Sequence, residues 1–79
     1  ETLKIDISFV RDVVHDLHSQ AIVQSIISLG HGLGLTVVAE GVEEIEQARV
    51  LREFGCDVLQ GYLFGRPVPA EQFRAWDAR

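Results

Sequence analysis

The sequence has few of the residues that mark several large classes of protein. It contains one cysteine, Cys56, and two prolines among 79 residues, and it has no methionine. A single cysteine excludes a disulfide framework and is typical of a reducing compartment. No apolar run approaches the roughly 20 residues of a membrane-spanning helix, and there is no signal-peptide pattern. We therefore expect a cytoplasmic chain without a membrane segment, although a longer protein could be anchored through other domains.

Positive charge is also scarce. Acidic residues number 12 against 7 lysines and arginines, which gives a net charge of −5. Because no basic stripe is present, the composition excludes the electrostatic surface that binds duplex nucleic acid. A small anionic ligand would need a local cation or a metal ion to offset this acidic balance.

The apolar content is ordinary for a folded protein. Hydrophobic residues make up 47% of the chain, which argues against disorder. A chain of this length nevertheless buries only about 60% of the surface that its unfolded state exposes, so the stability margin is thin.

Strand and helix patterns alternate along the chain. The β-branched run over residues 36–40 is typical of a strand buried on both faces. Glycines end two of the helices, at Gly34 and Gly55. The predicted elements are, in order, a strand over 3–7, a short helix capped by Ser8, a helix over 18–33, a strand over 36–40, a helix over 44–54, a strand over 57–60, a turn at Pro67 and Pro69, and a helix over 70–76.

Two of these helices have a clear amphipathic pattern. Their apolar residues recur at intervals of three and four, as on one face of a helix. In the longer helix these are Ile22, Ile26, Leu29 and Leu33, flanked by Val23 and Ile27, and in the second they are Ile45, Ala48 and Leu51.

The order of the elements predicts an α/β fold. Strands that alternate with helices run parallel and are joined by right-handed crossovers. In such folds the ligand chemistry lies at the carboxyl ends of the strands. The three strands end in Lys4 to Asp6, in Glu40 and in Gln60, so an amine, a carboxylate and a carboxamide should meet at one edge.

This trio suits phosphoryl chemistry. Lysine is a point charge for a phosphate oxygen, glutamate takes a proton or binds a metal, and glutamine orients a water. Gly41 and Gly61 follow two of the polar residues and would let a ligand approach the backbone closely. The alternative interpretation is that polar residues simply mark where each strand leaves the core.

Three stretches resemble one known family. They are LKID at 3–6, VVAEGVE at 37–43 and GCDVLQGYLFGRP at 55–67. In order and spacing they are similar to the C-terminal part of EAL-domain cyclic di-GMP phosphodiesterases. The resemblance implies a partial TIM-like (β/α)8 barrel of about three parallel βα units. It also implies that residues 1–79 are a C-terminal fragment of a single EAL domain, whose remaining barrel is the natural partner.

The resemblance also implies an activity and a set of site residues. Members of the family hydrolyse cyclic di-GMP to linear pGpG with Mg²⁺ or Mn²⁺, in bacterial second-messenger signalling that regulates biofilm and motility. Lys4, Glu40 and Gln60 match the catalytic positions, and Glu40 and Gln60 match metal-binding ones. Asp6 and Glu43 match supporting positions near the substrate.

Much of the family's site is absent from this sequence. The Glu-Ala-Leu signature and the paired aspartates, which supply most metal ligands, are not found. Two-metal hydrolysis needs both ions, so we expect the isolated fragment to be inactive. The alternatives are a degenerate, non-catalytic EAL domain that binds cyclic di-GMP or a protein partner, and an unrelated βα fragment. A homodimer is also possible, because barrel dimers are common among relatives.

The other candidate residues carry weaker signals. His15 and His18 have the spacing of a metal pair on a helix turn, but their region is typical of a solvated connection, which favours surface histidines. His31 is interpreted as a surface group or a cation favoured by the helix dipole. Cys56 is interpreted as a small buried residue rather than a nucleophile. Arg66 either contacts a ligand phosphate or pairs with an acidic neighbour.

Overall fold

The computed structural model describes residues 1–73, and it shows a four-stranded sheet with helices between the strands. The strands are β1 (Thr2–Ile5), β2 (Thr36–Ala39), β3 (Val58–Leu59) and β4 (Val68–Pro69), in the order β1-β2-β3-β4. The helices are α1 (Ile7–Arg11), α2 (Leu17–Gly32) and α3 (Ile45–Glu53), followed by a 3₁₀ helix at Ala70–Gln72.

The prediction of a mixed α/β fold with parallel strands is confirmed. β1 pairs in parallel with β2, and β2 pairs in parallel with β3. The antiparallel pairing of β4 with β3 was not predicted, because a two-residue strand next to prolines carries no periodic signal. The last predicted helix, over 70–76, lies partly outside the described residues, and its described part begins as the 3₁₀ helix.

One face of the sheet carries the core. The side chains of Ile5, Val37, Ala39 and Leu59 are all buried, and they share one cluster with apolar residues of the helices. The helix residues of this cluster include Val23, Ile27, Ala48 and Leu51.

The start of α1 corrects the predicted cap. β1 ends at Ile5, and Ile7 is already helical rather than part of the strand. Asp6, not Ser8, is the N-cap, and its carboxylate accepts from the Ser8 backbone N–H at 3.0 Å and from the Ser8 hydroxyl at 2.6 Å. Aspartate is among the best N-cap residues because its oxygen satisfies an N–H that the first turn leaves free.

The buried stripe of α2 also differs from the predicted one. Val23, Ile27 and Gly30 face the core, whereas Leu29 and Leu33 are more than half exposed. Gly30 determines which face is buried. A Cβ at this position would lie 2.7 Å from a Val37 methyl group, so only glycine lets α2 approach the sheet this closely.

Among residues 1–73, no helix is long and apolar enough to cross a lipid bilayer. This agrees with the absence of a long apolar run in the sequence.

Candidate functional site

The polar residues at the strand ends share one face of the sheet. Lys4 pairs in register with Val38, and Val38 pairs with Val58. Paired residues of parallel strands point to the same face, and the side chains alternate along each strand. Glu40 and Gln60 lie two residues beyond Val38 and Val58, so both continue that face, opposite the face that carries the core.

Lys4 and Glu40 come into direct contact. The Lys4 ammonium lies 3.4 Å from a Glu40 carboxylate oxygen, and their side chains are 61% and 37% exposed. The Glu40 backbone N–H also donates to the Ile5 carbonyl at 3.3 Å, which extends the β1–β2 ladder past the end of β2. The amine and the carboxylate are therefore held at one sheet edge, accessible to a ligand.

Gln60 joins this edge through the backbone. Its N–H donates to the Ala39 carbonyl at 2.9 Å, and its own carbonyl accepts from the Val42 N–H at 2.9 Å. The Val42 carbonyl in turn accepts from Leu63 at 3.2 Å. The loops after β2 and β3 are thus hydrogen-bonded together immediately beyond the two polar side chains.

The two glycines of the predicted site pack against the protein itself. A Cβ on Gly61 would lie 2.3 Å from the Val42 carbonyl oxygen, and one on Gly41 would lie 2.2 Å from the Ile7 side chain. Gly41 also has a φ of +78°, which an ordinary residue rarely adopts. Close packing within the chain therefore requires both glycines, and contact with a ligand remains a prediction.

Glu43 is held by a residue that the sequence analysis missed. The amide oxygen of Gln47 accepts from the Glu43 N–H at 2.8 Å and from the Glu44 N–H at 3.1 Å. The nitrogen of the same amide donates to the Arg11 carbonyl at 3.4 Å. A glutamine three residues after the N-cap is a known capping-box signal, so the sequence did contain the information.

Asp6 has a structural task at the end of β1. Two hydrogen bonds from Ser8, the first from its hydroxyl and the second from its backbone N–H, lower the pKa of the Asp6 carboxyl below its usual value. The carboxylate is therefore ionised at neutral pH while it caps α1, close in sequence to Lys4.

A shallow cleft of about 360 Å³ adjoins this edge. Its wall includes Glu43, Gln60 and the exposed side chains of Tyr62 and Arg66. The structure thus brings Arg66 to the same cleft as four other predicted site residues, which are Gly41, Glu43, Gln60 and Gly61. Contact of its guanidinium with an anionic ligand stays a prediction.

The remaining candidates lie elsewhere. Within residues 1–73, no three His, Cys, Asp or Glu side chains are arranged to hold a metal ion, and this includes His15 and His18. The prediction that Cys56 is buried is confirmed. His31 has a partner that was not predicted. Its Nε2 lies 2.8 Å from an Asp57 carboxylate oxygen, and the same oxygen accepts a hydrogen bond from the Val37 N–H at 2.8 Å.

Parallel strands with polar residues at their carboxyl ends define an α/β protein with a candidate site at those strand ends. Residues 1–67 match the family described as the EAL domain. The chain therefore belongs to the EAL domain family.

Characterised proteins and solved structures share this likeness. The bifunctional diguanylate cyclase/cyclic di-GMP phosphodiesterase MucR of Pseudomonas aeruginosa is 51% identical over 73 residues, which cover 92% of this chain and 11% of MucR. A PaMucR phosphodiesterase structure in complex with c-di-GMP has a TM-score of 0.78 and 49% identity, covering 92% of this chain and 30% of that one.

A second relative was solved with a metal. The manganese/cy-diGMP complex of Klebsiella pneumoniae BlrP1 at pH 9.0 has a TM-score of 0.79 and 42% identity, covering 87% of this chain and 18% of that one. Overall, the chain spans about a tenth of the length of the first curated relatives that it matches.

Proposed function

We propose that this chain is the C-terminal part of an EAL barrel that hydrolyses cyclic di-GMP to linear pGpG. Residues 1–79 would be one piece of a single domain and would contribute about three parallel βα units. The observation that carries the proposal is the contact between Lys4 and Glu40. Gln60 lies on the same face of the sheet, at the same ends of the strands. The c-di-GMP complex of PaMucR, which this chain resembles over most of its length, supports the choice of ligand.

The donors at this edge fit a hard divalent cation. Carboxylate and carboxamide oxygens, as on Glu40 and Gln60, are ligands that Mg²⁺ and Mn²⁺ prefer. The described residues hold no complete metal site, so these two side chains would provide part of a ligand set whose other members lie in the rest of the barrel. When bound, such ions polarise the phosphate and make a water more acidic. The manganese complex of BlrP1 supports this assignment.

The chain's own residues have distinct parts in this proposal. The Lys4 ammonium binds a non-bridging phosphate oxygen and offsets its charge. Glu40 accepts the proton of the attacking water with a carboxylate oxygen that does not bind the metal, and its contact with Lys4 holds the side chain at this edge. The Gln60 amide orients that water. Glu43 and Arg66 line the adjoining cleft, where they contact the remainder of the dinucleotide.

The rest of the EAL barrel is the partner that this sheet requires. Within residues 1–73, β1 and β4 are the outer strands of the sheet, and three parallel strands are too few to close a barrel. A complete domain, meaning an EAL domain that contains this chain with the rest of its barrel, would pair the free edge of β1. A homodimer of such domains, assembled through exposed apolar side chains, is part of the same proposal.

A non-catalytic receptor is the second candidate. It differs from the enzyme only in the metal ligands, of which the described residues offer Glu40 and Gln60 but no group of three His, Cys, Asp or Glu side chains. If the rest of the barrel also lacks the acidic ligands, the same edge would bind cyclic di-GMP without cleaving it.

The test is metal-dependent turnover of cyclic di-GMP by the complete domain. Glu40→Ala should abolish pGpG formation in Mg²⁺ or Mn²⁺. Glu53→Ala, which removes an exposed glutamate of α3 outside the site, is the matched control and should leave turnover unchanged. Near-normal turnover by Glu40→Ala would overturn the proposed role, whereas tight binding without turnover by the unmodified domain would favour the receptor.

A further inference from the structure

Gln47 is the buried polar side chain closest in sequence to the site. Its side chain lies in α3, and the residue is only 5% exposed. Burying a carboxamide costs free energy unless its polar atoms are hydrogen-bonded, so its partners show what the residue holds in place.

Those partners belong to two separate segments. The amide oxygen accepts from Glu43 at 2.8 Å and from Glu44 at 3.1 Å, both in the loop after β2. The amide nitrogen donates to the Arg11 carbonyl at 3.4 Å, at the end of α1 and so on the segment that follows the Lys4 strand. One side chain therefore connects the loop that carries Glu43 to the unit that carries Lys4.

The same loop is fixed on its other side by Val42. Val42 is fully buried and bonds through its backbone to Gln60 and Leu63. Gln47 thus completes a set of contacts that links the segments following all three parallel strands. Without its amide, the loop would stay joined to the β3 side and keep the bond from the Ala48 N–H to the Glu44 carbonyl at 3.2 Å. It would lose the two bonds that the Gln47 oxygen accepts, and with them its link through Gln47 to the Arg11 carbonyl.

We propose that Gln47 is a positioning residue of the reaction, which sets the place of Glu43 relative to the Lys4–Glu40 pair. This inference rests on the proposed function, because it assigns a part in phosphodiester hydrolysis. A capping residue that served only the stability of α3 would change the unfolding transition and leave the kinetics of the folded protein unchanged.

The experiment compares variants of the complete domain with cyclic di-GMP and Mn²⁺. Gln47→Leu keeps the approximate side-chain volume but removes every hydrogen bond of the Gln47 side chain. It should lower kcat by about 10- to 100-fold as the loop that carries Glu43 moves. Its KM should change less than about threefold, because the phosphate contacts remain. Gln47→Glu keeps an acceptor for the Glu43 and Glu44 N–H groups but loses the donor to the Arg11 carbonyl, so its kcat should lie between those of Gln47→Leu and the unmodified domain.

A double-mutant cycle identifies the residue through which Gln47 acts. In a Glu43→Ala background, Gln47→Leu should lower kcat by less than about twofold further. Gln24→Leu, a substitution at an exposed glutamine of α2, is the matched control and should leave kcat unchanged. If Gln47→Leu does not fold, Gln47→Met takes its place under the same criteria.

Three results would each overturn the inference. They are an unchanged kcat in Gln47→Leu, a kcat of Gln47→Glu no higher than that of Gln47→Leu, and an undiminished effect of Gln47→Leu in the Glu43→Ala background. The proposed function fails separately, when the unmodified domain shows no turnover or when Glu40→Ala retains it.

Discussion

At the scale of single residues, the charged site groups are exposed while the groups that hold them are buried. The side chains of Lys4 and Glu40 are 61% and 37% exposed, whereas Val42 and Gln47 are almost fully buried. An exposed ion pair contributes about 0–1 kcal/mol to stability, so the Lys4–Glu40 contact is a minor factor in folding. The pair is therefore available to a ligand, and the hydrogen-bonded backbone around it determines its geometry.

Cys56 gives a prediction at this scale. Burial raises the pKa of its thiol from 9.0 to about 11, and the sulfur lies 3.3 Å from the Val58 carbonyl as a hydrogen-bond donor. Between those two pH values the unfolded chain loses the thiol proton while the folded chain keeps it. The contribution of this thiol to stability is therefore complete below pH 9 and decreases as the pH rises towards 11.

The measurement is urea unfolding of the unmodified protein and of Cys56→Ala from pH 8 to pH 11. Other groups titrate in this range in both proteins, so the difference between the two isolates the thiol. We expect the difference in the free energy of unfolding to fall by at most about 3 kcal/mol. A difference that does not change with pH would contradict the prediction.

At the scale of elements, the packing of α2 depends on one small residue. A Cβ on Gly30 would lie 2.7 Å from a Val37 methyl group and 3.1 Å from the Leu3 side chain. Gly32, the last residue of α2, has no atom within 4 Å of such a Cβ. The two glycines therefore form a matched pair in which only the surroundings differ.

Alanine substitution should separate them. Gly30→Ala gains helix propensity but forces the helix away from the sheet, and it should lower the free energy of unfolding by about 1–3 kcal/mol. Gly32→Ala should leave it unchanged or raise it by up to about 1 kcal/mol. Urea unfolding of both variants checks this. Equal stabilisation of the two would show that α2 does not pack closely at Gly30.

Patterns in the sequence predicted where the helices and strands lie better than they predicted which residues are in contact. Gly34 and Gly55 were correctly predicted as helix ends, and both have positive φ values of +78° and +94°. The buried stripe of α2 was not, because this helix is apolar on more than one side and the choice depends on the approach at Gly30. The pairing of His31 with Asp57 joins residues that are 26 positions apart, which no local pattern indicates.

At the candidate site, too, some features could be predicted from the sequence and others depend on the tertiary fold. The convergence of Lys4 and Glu40 could be predicted, because the carboxyl ends of parallel strands share an edge. The cap formed by Asp6 was assigned to Ser8, since both residue types are good N-caps and the sequence offers them two positions apart. The role of Gln47 had a capping-box signal, but its bond to Arg11 depends on the tertiary fold.

At the scale of the whole molecule, the chain has too few metal ligands of its own to support catalysis under the proposed mechanism. Glu40 and Gln60 are the oxygen donors that we assign to a metal, and the described residues contain no group of three that could hold one. A two-metal reaction needs ligands for both ions, about 3.5–4 Å apart. Under the proposed function, activity would therefore require the rest of the barrel.

The 79-residue chain should accordingly show no turnover of cyclic di-GMP in Mg²⁺ or Mn²⁺. The complete domain, assayed at the same concentration, is the control and should form pGpG. Product analysis by liquid chromatography distinguishes the two. Sustained hydrolysis by the chain alone would show that its own side chains suffice.

The central claim is that the ends of three parallel strands form one phosphodiester site. A crystal structure of the complete domain with cyclic di-GMP and Mn²⁺ tests it most directly, because manganese is located by its anomalous scattering. We expect the Lys4 ammonium within about 3 Å of a phosphate oxygen. We expect manganese within about 2.5 Å of a Glu40 oxygen, with the Gln60 amide facing the same phosphate. A dinucleotide bound at another edge of the sheet, or manganese bound without Glu40, would contradict the claim.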